Sequence, residues 1–170
     1  MIMATQLARE GPIDGELDVP RAVLTVYLPA RWSNVRPVVE FVSFTVASRL
    51  GAEPAARASM ATHELLENAV KYGDLWRDIA LEVVVEAGGT FEIRVVNRAV
   101  QSRISILQKE IRRLETLGAE EGLVDAMKRA ARLPQGCSML GLARLRLEAR
   151  VTLEFDIQGE RVLVVARGAP

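Results

Sequence analysis

The sequence predicts an α+β fold in one domain, and three observations carry that expectation. Ile79–Glu86 and Thr90–Asn97 alternate apolar and polar residues around Gly88 and Gly89, a two-residue hairpin turn signal. Val151–Ile157 and Arg161–Ala166 form a second such pair around Gln158 and Gly159. Between Pro54 and Gly73, the residues Ala61, Leu65, Leu66, Ala69 and Val70 recur at helical spacing, so one face of that segment is apolar. At 170 residues the chain suits a single substantial core.

Taken in order, Met1–Pro20 mixes Gly11, Pro12, Gly15 and Pro20 with Glu10, Asp14, Glu16 and Asp18 and keeps no period. Residues 1–20 read as a flexible tail ahead of one domain spanning 21–170. Ala22–Leu28 is rich in β-formers and ends at Pro29, which makes it a strand. Ser33 or Asn34 can cap a helix from Val35 to about Leu50, buried through Val38, Val39, Val42, Val46 and Leu50 and stopped at Gly51. Pro54 sits near the start of the next helix, where its missing N–H costs little.

Ser102–Leu133 reads as one helix or two, breakable at Gly118 or Gly122, within a helical insertion at about 101–133. Lys109, Arg112, Arg113, Glu115, Glu120, Glu121, Lys128 and Arg129 give it a solvated face. Pro134–Gly141 breaks the pattern and Leu140–Arg150 resumes it. The order is strand, helix, helix, hairpin, helical insertion, helix, hairpin.

Composition narrows the classes. Hydrophobic residues make up 49% of the chain and aromatic residues 5%, which implies an aliphatic core. Lys plus Arg balances Asp plus Glu at 22 each, so neither nucleic acid nor an anionic membrane is favoured as a partner. Cys137 stands alone, which excludes an internal disulfide, and with the single His63 it leaves no Cys/His zinc constellation. Cys137 reads as a small inert residue. No signal-peptide pattern and no apolar run of about 18 residues is present, which gives a cytoplasmic expectation.

The stretch Met60–Gly73 holds the candidate chemistry. Glu64, Asn68 and Tyr72 fall one helical turn apart and stack a carboxylate, an amide and a phenol on one stripe. A carboxylate can take a proton or orient a water, and an amide oxygen is a hard ligand suited to Mg²⁺. Solvated helix faces show the same spacing. His63 points about 100° away from Glu64 around the helix, so it reads as a surface or packing residue.

The run Glu64-Leu-Leu-Glu-Asn68-Ala69-Val-Lys-Tyr-Gly73 resembles the Glu-x-x-x-Asn-Ala helix motif of the GHKL ATPase superfamily. It is most similar to the anti-sigma-factor serine kinase branch, whose motif continues Asn-Ala-x-x-His/Tyr-Gly. The element order extends the resemblance over Leu24 to Ala166. It implies a two-layer α/β sandwich with a mixed, mostly antiparallel sheet covered on one face by helices. It also implies ATP and Mg²⁺ as cofactors, with Glu64 as general base and Asn68 as the Mg²⁺ ligand. A sigma factor or an antagonist-type domain would be the protein partner, and a homodimer is one possible assembly. Lys71 is placed to reach a phosphate, although the helix dipole alone favours a lysine there.

Two further boxes of the family meet different fates. Its Asp-x-Gly-x-Gly adenine box is replaced by Asn97, Ala99 and Gln101. The Asn97 oxygen can still accept from adenine without the charge that strengthens such a bond, and Asn is also an ordinary turn former. Loss of both glycines puts a Cβ where close backbone approach is needed. The Gly-x-Gly-Leu phosphate box is partly kept in Gly136, Gly141 and Leu142, at a helix start where anions bind.

Two functions compete on this reading. The intact Glu64/Asn68 pair argues for an ATP-dependent serine/threonine kinase that modifies or sequesters a regulatory protein. The lost adenine box and the long charged insertion argue for a non-catalytic regulator that has lost nucleotide binding and docks a partner. The balance leans towards a kinase-like ATP-binding regulator.

Overall fold

Among the described residues, five strands and five helices follow one another in the order that the pattern predicts. They are β1 (Ala22–Pro29), α1 (Trp32–Leu50), α2 (Ala52–Tyr72), β2 (Asp78–Val85), β3 (Phe91–Arg98), α3 (Gln101–Thr116), α4 (Ala119–Ala130), α5 (Leu140–Leu147), β4 (Val151–Gln158) and β5 (Arg161–Gly168). The structure, a computed structural model, describes residues 22–86, 88–132 and 140–169. The expected tail and the candidate residues Gly136 and Cys137 lie outside the described residues.

The strands form one sheet in the order β1-β2-β3-β5-β4. Every neighbouring pair is antiparallel, so the parallel member that a mixed sheet would need is absent among the described residues. Alternation along the strands decides the two faces. Ile79, Leu81, Val83 and Val85 join Phe91, Ile93, Val95, Val162, Val164 and Ala166 in the core with the helices. The opposite face carries a charge ladder across four strands, running Glu82, Arg94, Glu92, Arg167, Glu154.

Several element ends differ from expectation for identifiable reasons. α1 begins at Trp32 rather than Val35, because Asn34 does not cap it: its Nδ2 donates back to the Pro29 carbonyl at 2.9 Å. Gly51 stops α1 as expected, with φ of 89°. The last β2–β3 pair is Val85 with Phe91, so the connection runs over 86–90 instead of two residues. The Glu86 N–H donates to the Thr90 carbonyl at 3.0 Å and closes this longer loop. In the insertion the break falls at Leu117–Gly118, while Gly122 is buried inside α4.

Packing puts α2 at the centre. Ala55, Ala58, Ala61 and Ala69 are buried, small side chains that let α2 lie close to α1 on one side and to β3 on the other. Arg57 fixes its start by donating to the carbonyls of Ala149 at 2.9 Å, Arg150 at 3.0 Å and Ala169 at 2.8 Å. The insertion is less solvated than its composition suggests. Arg129 donates two bonds of 2.7 Å to Glu110, which is buried, and from α5 Arg146 reaches the carbonyls of Leu114 and Leu117. Among the described residues no helix is long and apolar enough to cross a membrane.

Candidate functional site

Helical spacing carries Glu64, Asn68 and Tyr72 along one side of α2, but the fold gives them different surroundings. Glu64 faces α5. Its Oε1 accepts from Arg144 Nη1 at 2.9 Å, and Arg144 turns its other edge to Glu148 at 2.8 Å. The carboxylate also lies against Gly141: a Cβ there would come within 2.1 Å of Glu64 Oε2, so a larger residue would make the carboxylate swing aside. Burial pushes the Glu64 carboxyl above the usual carboxylate range, with Arg144 opposing and Glu67 adding to the rise.

Asn68 and Tyr72 face a cavity of about 40 Å³ between α2, the sheet and α3. Asn97 and Arg103 add the other polar groups, and Leu65, Val95, Ile104, Leu107, Leu142 and Val164 supply much of its apolar wall. The Asn68 Nδ2 is buried and has no hydrogen-bond partner among the described residues. A buried amide left in this state costs about 1–3 kcal/mol. Asn97 lies at the cavity edge beside Gly73, and its Nδ2 makes only a long bond of 3.4 Å to the Arg98 carbonyl.

The remaining expected residues are placed as follows. Leu142 is buried in the cavity wall. Lys71 lies outside that wall, its ammonium 5.1 Å from the centre of the Tyr72 ring. Ala99, at the first lost glycine, is buried with its N–H donating to the Glu160 carbonyl at 2.9 Å. Gln101, at the second, is the first residue of α3, so a helix begins where the adenine box would have a glycine turn. His63 is exposed and pairs with Glu67 at 3.3 Å.

Sequence reasoning missed four participants, Arg103 in the cavity lining among them. Arg144 could have been noticed as a charge interrupting the apolar run Leu140-Gly-Leu-Ala before Leu145. Ile104 and Leu107 are an i, i+3 apolar pair at the start of an insertion whose charges drew the attention.

The fit to ATP and Mg²⁺ is divided. The unpartnered Asn68 amide is of the right kind for a polar ligand, and Arg103 and Arg144 supply positive charge at or beside the cavity. The volume does not fit, since about 40 Å³ suits about three waters whereas small-molecule sites span roughly 300–1,000 Å³. Among the described residues no group of three or more His, Cys, Asp or Glu could hold a metal ion. A nucleotide does not fit the site in this conformation.

No family model matches the chain, and no curated protein matches its sequence. Among solved structures it is similar to a chain in the SiaB-SiaC complex of Pseudomonas aeruginosa, with a TM-score of 0.61 and 17% identity. The match covers 85% of this chain and 88% of that one, and it shows that the two share a fold.

Glu64 gives a pH prediction. Burial raises its pKa, so the folded state holds the proton more tightly than the unfolded chain. Its contribution to stability is fully present below the ordinary glutamate value and is lost as pH rises through the folded value. Urea denaturation of the native protein and Glu64→Gln from about pH 4 to about pH 7 should show the native protein losing stability relative to the variant. A difference that stays flat or grows in favour of the native protein would contradict the assignment.

Proposed function

We propose that the protein is a regulator that acts by binding another protein. One observation carries this reading. Of the two Trp, two Tyr and four Phe in the chain, five are more than half exposed: Tyr27, Trp32, Phe41, Phe44 and Trp76. Aromatic side chains are large apolar surfaces that a lone domain buries and an interface uses. Phe41 and Phe44, 52% and 72% exposed, stand three residues apart on one face of α1. That the similar solved chain comes from a two-protein complex supports the same reading. A sigma factor or an antagonist-type domain remains the partner class that the motif resemblance suggests.

Replacing both rings, Phe41→Ser with Phe44→Ser, tests it. Cross-linking in the source cells should recover a protein with the native chain and fall to background with the variant, while folding stability stays within about 0.5 kcal/mol. Equal recovery with both chains, or none with the native one, would overturn the reading.

A second reading, an ATP-dependent serine/threonine kinase acting on that partner, is favoured by the Asn68 Nδ2, a buried donor with no partner among the described residues, one turn from Glu64. It needs a wider cavity than the one present. Isothermal titration with millimolar Mg²⁺-ATP separates the two. The kinase reading predicts Mg²⁺-dependent heat that Asn68→Ala abolishes; no heat from any form of the chain discards it and leaves the partner-binding reading intact.

A further inference from the structure

The two edges of the sheet are built differently. At one edge β4 carries Glu154 and Asp156, which pair with Arg167 and Arg161 of β5. Charged side chains of this kind keep an edge strand from pairing with another chain. At the other edge β1 runs Ala-Val-Leu-Thr-Val-Tyr-Leu-Pro, eight residues without one charge. Its ladder to β2 is unbroken from Ala22 with Val85 to Pro29 with Asp78, so no bulge turns the edge away. On the free side of β1 the backbone N–H and C=O groups have no strand partner among the described residues. Leu24, Val26 and Leu28 turn towards the core, which puts Val23, Thr25 and Tyr27 on the face away from the helices. All three are exposed there, Val23 at 53% and Tyr27 at 73%.

We infer that β1 pairs with β1 of a second copy of this chain, antiparallel about a two-fold axis at Thr25, so that the two five-stranded sheets become one. The residue order selects this occupant, because β1 is complementary to itself. In that register Thr25 faces Thr25, Val23 faces Tyr27 and Leu24 faces Val26 of the second copy. Thr–Thr and aromatic–β-branched pairs are favourable cross-strand neighbours, and with no charge on β1 no like charges meet. The opposite edge lacks this property: turned on itself about Phe155, β4 would set Glu154 against Asp156. Leu24 and Val26 are only partly buried at the rim of the core, and the second copy covers them further. A pair of eight-residue strands is small for an interface, so the dimer comes apart on dilution. The contact stands apart from the partner surface proposed above, which uses Phe41 and Phe44 of α1.

Sedimentation from about 1 to about 100 µM should show the native chain passing from monomer to dimer. Thr25→Lys tests the register, because within the chain the new charge lies beside Glu82 on β2, whereas across the axis it meets its own copy. That variant should fold and should weaken the dimer about tenfold or more. With Cys137→Ser as background, Thr25→Cys should form a disulfide-linked dimer on mild oxidation and Glu154→Cys should not. Phe41→Ser with Phe44→Ser should leave the dimer intact, so that loss of a partner and loss of the dimer are read separately. A native chain that stays monomeric over this range would overturn the inference, as would a dimer that Thr25→Lys leaves unchanged. A dimer that forms only once residues 1–20 are removed would show that the chain's own leading segment takes the edge, and would overturn it as well.

Discussion

Enclosure of α2 is the constraint on which the rest depends. α1 covers one side, the sheet another and α5 a third, so polar residues of this helix cannot all reach water. Three of them are affected, and each meets the problem differently. Thr62, fully buried, donates its hydroxyl to the Ala58 carbonyl at 2.8 Å within the helix. Glu64 takes the guanidinium of Arg144. The Asn68 Nδ2 has no partner among the described residues. Since buried polar groups are almost always paired, the exception marks a place where something other than packing sets the residue.

An ion pair between a buried carboxylate and a half-exposed guanidinium stabilises little by itself, because solvent screens the attraction and desolvation offsets it. Its effect here is positional: it fixes Glu64 over Gly141 and away from the cavity that Asn68 faces. A carboxylate bound to a guanidinium is also a weak base, and burial that raises its pKa acts in the opposite sense. The Glu64 carboxylate is therefore held by its neighbours and is not free at the cavity. Exposed aromatic residues on α1 and β1 are not among those lining the cavity.

Much of this was legible in the sequence, and what was not has physical reasons. Alternation in the two hairpins and the helical period of α2 are local signals, and each element formed where they place it. The long connection between β2 and β3 was not legible, because a Gly-Gly pair permits a tight turn without requiring one, and pairing of Glu86 with Thr90 decided the loop. The start of α1 was obscured because an Asn side chain can accept from helix N–H groups through Oδ1 or donate through Nδ2, and Asn34 donates to the Pro29 carbonyl. Glu64 and Asn68 were readable as neighbours on a stripe; that one would face Arg144 and the other a cavity depends on α5 and α3, distant in the chain, as the Glu64–Arg144 separation of 80 illustrates. Contacts of that range leave no periodic trace. The exposed rings of Phe41 and Phe44 were equally unreadable, since an aromatic residue at helical spacing is usually core.

The most direct measurement is the folding stability of Asn68→Leu, which keeps the branched shape of the side chain, replaces the amide by methyl groups and places the added bulk against the cavity that Asn68 lines. If that amide is held without a partner for the sake of a ligand, its loss should raise the urea-unfolding free energy of the ligand-free protein by about 1–3 kcal/mol. A variant less stable than the native chain would show that Asn68 serves the fold, and the account of the cleft as a ligand site would fail.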